Sequence, residues 1–359
     1  MSDAPYLKLR RFLDQFPIGF PETSSGVELA ILKRLFSPEQ AEVAVNLSPK
    51  PEDAPTLAAR LGRDPDELAK TLDEMAQDGL LFQVRRDGKK LFAAAPFMIG
   101  LYEYSVNKID RDLAALFQQY YEEAYQDEMG RSDVPGFKVI PLQQHVASDI
   151  TLLPYHQLEV DVRSARVISV AECVCRKEAA LTGHGCDHPL ETCLSFGAAA
   201  EFYIEHGLGR RIEVDEALAI LKKADESGLV HAGVNAKHLS NICNCCPCCC
   251  ASLKGIVSKG HDKRKYMNAL FEAVVDESAC TGCETCVDRC PVGAASVDEV
   301  ASVDRRKCLG CGLCVGVCPA GALSMRLRED REEPFERAFD MGLAVLEAKK
   351  RKQSGTAPA

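Results

Sequence analysis

The chain has 359 residues and a hydrophobic content of 46%, enough material for about two or three packed domains. Its formal charge of −10 opposes generic binding to phosphate-rich nucleic acid, and no run of about 18 apolar residues is present to span a bilayer. Eighteen cysteines without a secretory leader point to thiols kept reduced in a cytoplasm and used for metal ligation, not for disulfides.

Residues 1–97 contain no cysteine and are expected to form a separate domain. Helices are predicted over 26–36 and 37–47, the second opened by Ser37 as cap and Pro38 in its first turn. A short helix over 56–62 follows, then one over 64–80 with Leu68, Leu72, Met75, Ala76 and Leu80 at helical spacing. Asp87-Gly88 between 81–86 and 89–94 predicts a hairpin. This order of helices and a two-stranded wing resembles the winged-helix fold of many transcription regulators. The helix that would enter a DNA groove carries Asp66, Glu67, Asp73, Glu74 and Asp78 against Lys70, so protein docking is the expected role. The basic wing residues Arg85, Arg86, Lys89 and Lys90 are expected to be a solvated face.

Residues 98–167 read as a helical or irregular connector, with a helix over 113–129 whose Tyr120, Tyr121 and Tyr125 serve packing, and with His145 and His156 in structural or surface roles. Residues 168–255 form a Cys-rich unit. Cys173, Cys175, Cys186 and Cys193 place four thiols in 21 residues, enough for one tetrahedral site. Cys243, Cys245, Cys246, Cys248, Cys249 and Cys250 put six into eight positions. Helices expected over 196–206 and 214–227 lie between the two groups, which makes the unit a helical one. So many adjacent thiols cannot all be buried from one regular element, so metal or cluster binding is expected of a subset. Paired cysteines resemble the Cys-rich domains of heterodisulfide reductases, although the spacing departs widely and no residue role carries over. His184 and His188 flank Cys186 and are expected in outer or surface roles.

Residues 256–330 hold the most specific pattern. Cys280, Cys283, Cys286, Cys290-Pro291 and Cys308, Cys311, Cys314, Cys318-Pro319 are two copies of C-x2-C-x2-C-x3-C-P, and over 17 aligned positions 10 are identical. From about Phe271 to Arg328 the segment resembles a bacterial 2[4Fe–4S] ferredoxin. In that pattern the fourth cysteine of each run ligates the other cluster. Cluster I is then expected on Cys280, Cys283, Cys286 and Cys318, and cluster II on Cys308, Cys311, Cys314 and Cys290. The resemblance implies a small α+β fold with strands near 271–276 and 323–327. Residues 331–359 read as a charged helix and tail, the helix lined on one side by Phe335, Phe339, Leu343 and Leu346.

The fold class expected is thus multidomain, mainly α with α+β: a winged-helix-like start, a Cys-rich helical middle and a ferredoxin-like end. Taken whole, it resembles uncharacterised iron–sulfur proteins of strict anaerobes. For the middle cysteines soft thiolates suit iron–sulfur clusters and zinc alike. Ten thiols exceed the need of one zinc, and C-x-C lacks the wider bite of most zinc sites. One or more additional [4Fe–4S] clusters are expected there, with zinc as the alternative. Low-potential electron transfer is expected, with a flavoprotein or a catalytic oxidoreductase subunit as partner, since no Gly-rich dinucleotide fingerprint occurs. The alternatives are a reductase acting at the middle cysteines on a disulfide- or thioester-type acceptor, and a redox-sensing DNA-binding regulator.

Overall fold

Side-chain caps start the N-terminal helices. In the computed structural model, which describes residues 2–354, the Ser37 hydroxyl accepts from the Gln40 amide while the Gln40 side chain accepts from the Ser37 amide. That reciprocal box opens the helix Pro38–Ala44. Asp53 and Asp64 cap the helices Ala54–Leu61 and Pro65–Gln77. Two further helices, Ala4–Leu13 and Val27–Leu35, complete the layer, the first of them not expected from the sequence. Strands β1 (Phe82–Arg86) and β2 (Lys89–Ala93) pair antiparallel across Asp87-Gly88, both of positive φ as a two-residue hairpin turn of this hand requires.

This layer does not stand apart. The Phe82 and Phe202 rings lie 5.1 Å apart, Arg85 pairs with Glu205 at 3.0 Å, and one buried core runs from Tyr6 through Phe97, Phe117 and Tyr120 to Tyr203 and Leu253. Its centre is the helix Arg111–Tyr120, prolonged through a wider turn Tyr121–Tyr125 into Gln126–Met129.

The middle region is built on a sheet, which corrects the expectation of a helical unit. Its strands are β3 (Phe137–Val139), β4 (Ile168–Glu172), β5 (Glu191–Phe196), β6 (Arg210–Ile212), β7 (Val230–Val234), β8 (Asn241–Cys245) and β9 (Met267–Ala269), in spatial order β6-β4-β5-β8-β7-β3-β9. All pairs are antiparallel except β3 with β9. Val170, Leu194 and Ile242 meet the helices Leu158–Ser164 and Val214–Glu226 on one face. Alternate residues Ala171, Cys193, Ala232 and Cys245 meet the aromatic helical layer on the other. A sheet covered on both faces has nearly continuous apolar strands, so its period-2 signal is weak.

One residue, Leu270, joins β9 to β10 (Phe271–Val275), which pairs antiparallel with β13 (Leu323–Leu327) near the expected positions. Between them β11 (Ala295–Val297) pairs with β12 (Ala301–Val303). The last helix, Ala338–Ser354, starts later than expected, and Phe335 before it is hydrogen-bonded through its backbone to Asn235 and Lys237. Its buried face is Gly342, Val345 and Ala348, while Phe339 and Leu343 are exposed. The tail beyond residue 354 lies outside the described residues. Lys349 anchors this helix on the buried Glu128 carboxylate, which also accepts from the Gly19 amide at 2.8 Å. Lys349→Ala is expected to cost about 1–3 kcal/mol, because it leaves the buried Glu128 carboxylate with only the Gly19 amide and the half-exposed Arg131 as partners. Urea unfolding and faster proteolysis after Met341 would register it. Among the described residues no helix is long and apolar enough to cross a membrane.

Candidate metal centres

The two C-terminal cysteine runs wrap two cavities. Cys280, Cys283, Cys286 and Cys318 line one, against Val275, Val297, Ala301 and Leu323. Cys290, Cys308, Cys311 and Cys314 line the other, against Ala273, Val292, Val303 and Met325. Each cavity therefore draws three sulfurs from one run and the fourth from the other. Backbone N–H groups point at the sulfurs: Ala301 donates to Cys280 Sγ at 3.3 Å and Ala294 to Cys290 Sγ at 3.1 Å. Four thiols, apolar walls and inward amides are the donor set that an iron–sulfur cubane requires. Gly310 sits at φ +73°, where a Cβ would lie 2.2 Å from the Phe271 carbonyl oxygen, so only glycine lets the loop close over β10. Burial raises the Cys311 thiol well above its ordinary value and pushes Cys314 up to about 12. Metal uptake must displace those protons, so it weakens as pH falls.

The ten middle cysteines divide in a way the sequence did not suggest. Cys243 and Cys245 share one face of β8 because side chains alternate along a strand. They meet Cys193 of β5, Cys173 and Cys175 at the start of the helix Val174–Leu181, and Cys250 before the helix Ala251–Ser258. These six line a chamber completed by Met98, Ile99, Glu103, Phe137, Ala232 and Met267, and Cys246 and Cys249 also contribute to its lining. Cys186 does not line this chamber with Cys173, Cys175 and Cys193, as a four-thiol group in sequence would require. Its sulfur lies with those of Cys246, Cys248 and Cys249, all within 4.8 Å of one another. His184 and His188 contribute to neither set.

Arg176 stands between the two sets. Its side chain is buried, donates to the Asn244 carbonyl at 2.9 Å and to the Thr192 hydroxyl, and comes within 4.0 Å of Cys246 Sγ. The thiol of Cys175 holds Cys173 down to about 6, against its burial and with help from Arg176. The thiol of Cys249 likewise holds Cys246 down to about 4, again with Arg176 behind it. Glu103, on the chamber wall, is pushed up to about 8 by burial and accepts from the Gly100 amide at 2.8 Å.

On the opposite face of the sheet a buried polar chain leads toward the C-terminal cavities. The Asn244 side chain meets His231 Nδ1 at 2.6 Å, Asp225 lies 3.9 Å from His231 Nε2, and Asp225 meets His145 Nε2 at 3.0 Å. His145 abuts Gly312 and Gly316, where a Cβ would fall 3.1 and 2.9 Å from its ring. Arg289, beside Cys290, donates to the backbone carbonyls of Asp225 and Glu226. In the sequence His145 stands alone, and Glu103, Asp225, His231 and Asn244 belong to no motif. Their partners lie far along the chain, and only Arg176, set directly after C-x-C, carried a local signal.

No curated protein and no solved structure matches the chain. Residues 272–319 do match a family model, that of the 4Fe-4S dicluster domain, so the C-terminal part of the chain is an iron–sulfur domain.

Proposed function

We propose that this protein carries single low-potential electrons through the two clusters of its dicluster domain to a further iron–sulfur centre in the six-cysteine chamber. In this reading it serves as a subunit or partner of an oxidoreductase. Cys280, Cys283, Cys286 and Cys318 hold cluster I. Cys308, Cys311, Cys314 and Cys290 hold cluster II. Cys173, Cys175, Cys193, Cys243, Cys245 and Cys250 supply the ligands of the third centre. When bound, such clusters provide one-electron redox chemistry.

The protein's own residues give the relay a direction. Cys283 is exposed, whereas Cys308 and Cys311 are buried. Cluster I thus faces a docking partner and cluster II faces inward. The contact that carries the reading is His145 against Gly312 and Gly316, linked through Asp225, His231 and Asn244 to the strand bearing Cys243 and Cys245. Anaerobically purified protein is expected to contain about twelve irons or more per chain and to show at least three reducible centres in a potentiometric titration followed by electron paramagnetic resonance. About eight irons and two centres would remove the third step.

A reductase reading draws support from one observation. An apolar cleft of about 540 Å³, of a size that suits a small molecule, shares Met98, Ile99 and Phe137 with the chamber wall. Glu103, neutral at pH 7, stands at that wall as a proton donor. Glu103→Gln keeps the shape and removes the acid. If the chamber reduces a bound acceptor, the variant keeps its iron and loses turnover with a chemical electron donor by about 10²-fold or more. Unchanged turnover would leave the chamber as a relay.

A nucleic-acid partner is not part of this reading. Arg85 and Lys90 of the hairpin are engaged by Glu205 and Asp73, and the helix Pro65–Gln77 is acidic.

A further inference from the structure

Four of the middle sulfurs are too close together for a cubane. Cys186 Sγ lies 3.5 Å from Cys249 Sγ and 4.0 Å from Cys246 Sγ, and Cys248 Sγ lies 3.8 Å from Cys249 Sγ. A tetrahedral ion with metal–sulfur bonds of about 2.3 Å sets its four sulfurs about 3.8 Å apart. A cubane binds each thiolate to a different iron, which spreads the four sulfurs wider.

We infer that Cys186, Cys246, Cys248 and Cys249 bind one zinc ion as a closed tetrathiolate, separate from the iron–sulfur centres. The surroundings suit it. Cys246 and Cys249 are buried against Ala179, Ala224 and Leu229, while Cys248 is exposed and leaves a path for the ion. Four thiolates on a divalent ion leave two negative charges, and the Arg176 guanidinium next to Cys246 offsets part of that charge. The Cys250 amide donates to the Cys246 carbonyl at 3.1 Å, which closes the turn that aims three sulfurs the same way.

Zinc is redox-inert, so the site stands outside the relay. Its work is structural. It ties the loop around Cys186 to the turn 246–249, 60 or more residues on, and thereby fixes Cys245 and Cys250 on the chamber side. The adjacent cysteines are then explained: neighbours in the run serve two different metals from one turn.

The test uses the full chain purified without oxygen from cells supplied with iron and zinc. One zinc per chain is expected, with an X-ray absorption spectrum at the zinc edge that fits four sulfurs at about 2.3 Å. The double variant Cys248→Ser, Cys249→Ser is expected to lose the zinc and keep its C-terminal clusters. The wild-type zinc-edge spectrum decides the matter even if that variant fails to fold. Absence of zinc, nitrogen or oxygen ligands on it, or a variant that loses iron while keeping zinc would overturn the inference. None of these results bears on the iron count that tests the relay, so the two can fail separately.

Discussion

Arg176→Met is expected to be among the most damaging single substitutions in the chain. The guanidinium is the cation between the chamber and the four-sulfur group, and it supplies donors to the Asn244 carbonyl and the Thr192 hydroxyl. Methionine fills much of the volume but leaves buried acceptors unpaired and the thiolates uncompensated, at a cost of about 3–5 kcal/mol. Anaerobic urea unfolding followed by circular dichroism is the suitable readout, because the chain has no tryptophan. The metals proposed for the middle cysteines should be lost while the C-terminal clusters remain. Arg176→Lys restores charge without the planar fork, so it should recover only part of the loss. A Met variant with full metal content and unchanged stability would show that Arg176 has no such part.

Cys290→Ala is expected to remove about four irons per chain and, with them, the inward-facing cluster. Cys290 is written in the first run, yet it lines the cavity of Cys308, Cys311 and Cys314. Crossed ligation makes a sharp claim: the residual spectrum of Cys290→Ala should match that of Cys311→Ala and differ from that of Cys280→Ala. Magnetic coupling between the two clusters should vanish in all three. If Cys290→Ala instead resembles Cys280→Ala, each run binds its own cluster. On the proposed relay, reduction of the middle centre should also slow in Cys290→Ala.

Some of this architecture was legible in the sequence because its causes are local. Ser37-Pro38 and Asp64-Pro65 announce helix starts through caps that act within three residues, and Asp87-Gly88 announces its hairpin in the same way. The two cysteine runs are legible because ligand spacing is a property of one loop. The helix Ala4–Leu13 carries a local signal too, in Tyr6, Leu9 and Leu13. The sheet is a different case. β4 and β7 are buried on both faces, and β8 carries cysteines on one face and Asn244 with Ile242 on the other, so no apolar alternation marks it. The partition of the ten cysteines follows from that sheet. Pairing puts Cys193 opposite Ala171 and Cys243 opposite Ala232, and no spacing rule encodes either match. The last helix misled for a simpler reason: small residues, Gly342 and Ala348, let it pack closely, and the larger Phe339 and Leu343 were left outside.

The single residue between β9 and β10 has a kinetic consequence. Carrier domains on long linkers deliver electrons by diffusing between docking positions, and their rates fall with solvent viscosity and change with linker length. Here Leu270 is fully buried, and the Val146–Met325 bridge pins the dicluster domain from a second side. No swing is available to it. On the proposed relay, internal transfer should therefore proceed as a fixed-distance hop, unchanged by glycerol and by protein concentration, whereas encounter with an external donor should slow in glycerol and quicken as concentration rises. Even a few glycines inserted after Ala269 should leave the same step viscosity-independent, because the Val146–Met325 bridge and the Arg289 contacts to Asp225 and Glu226 still hold the domain in place.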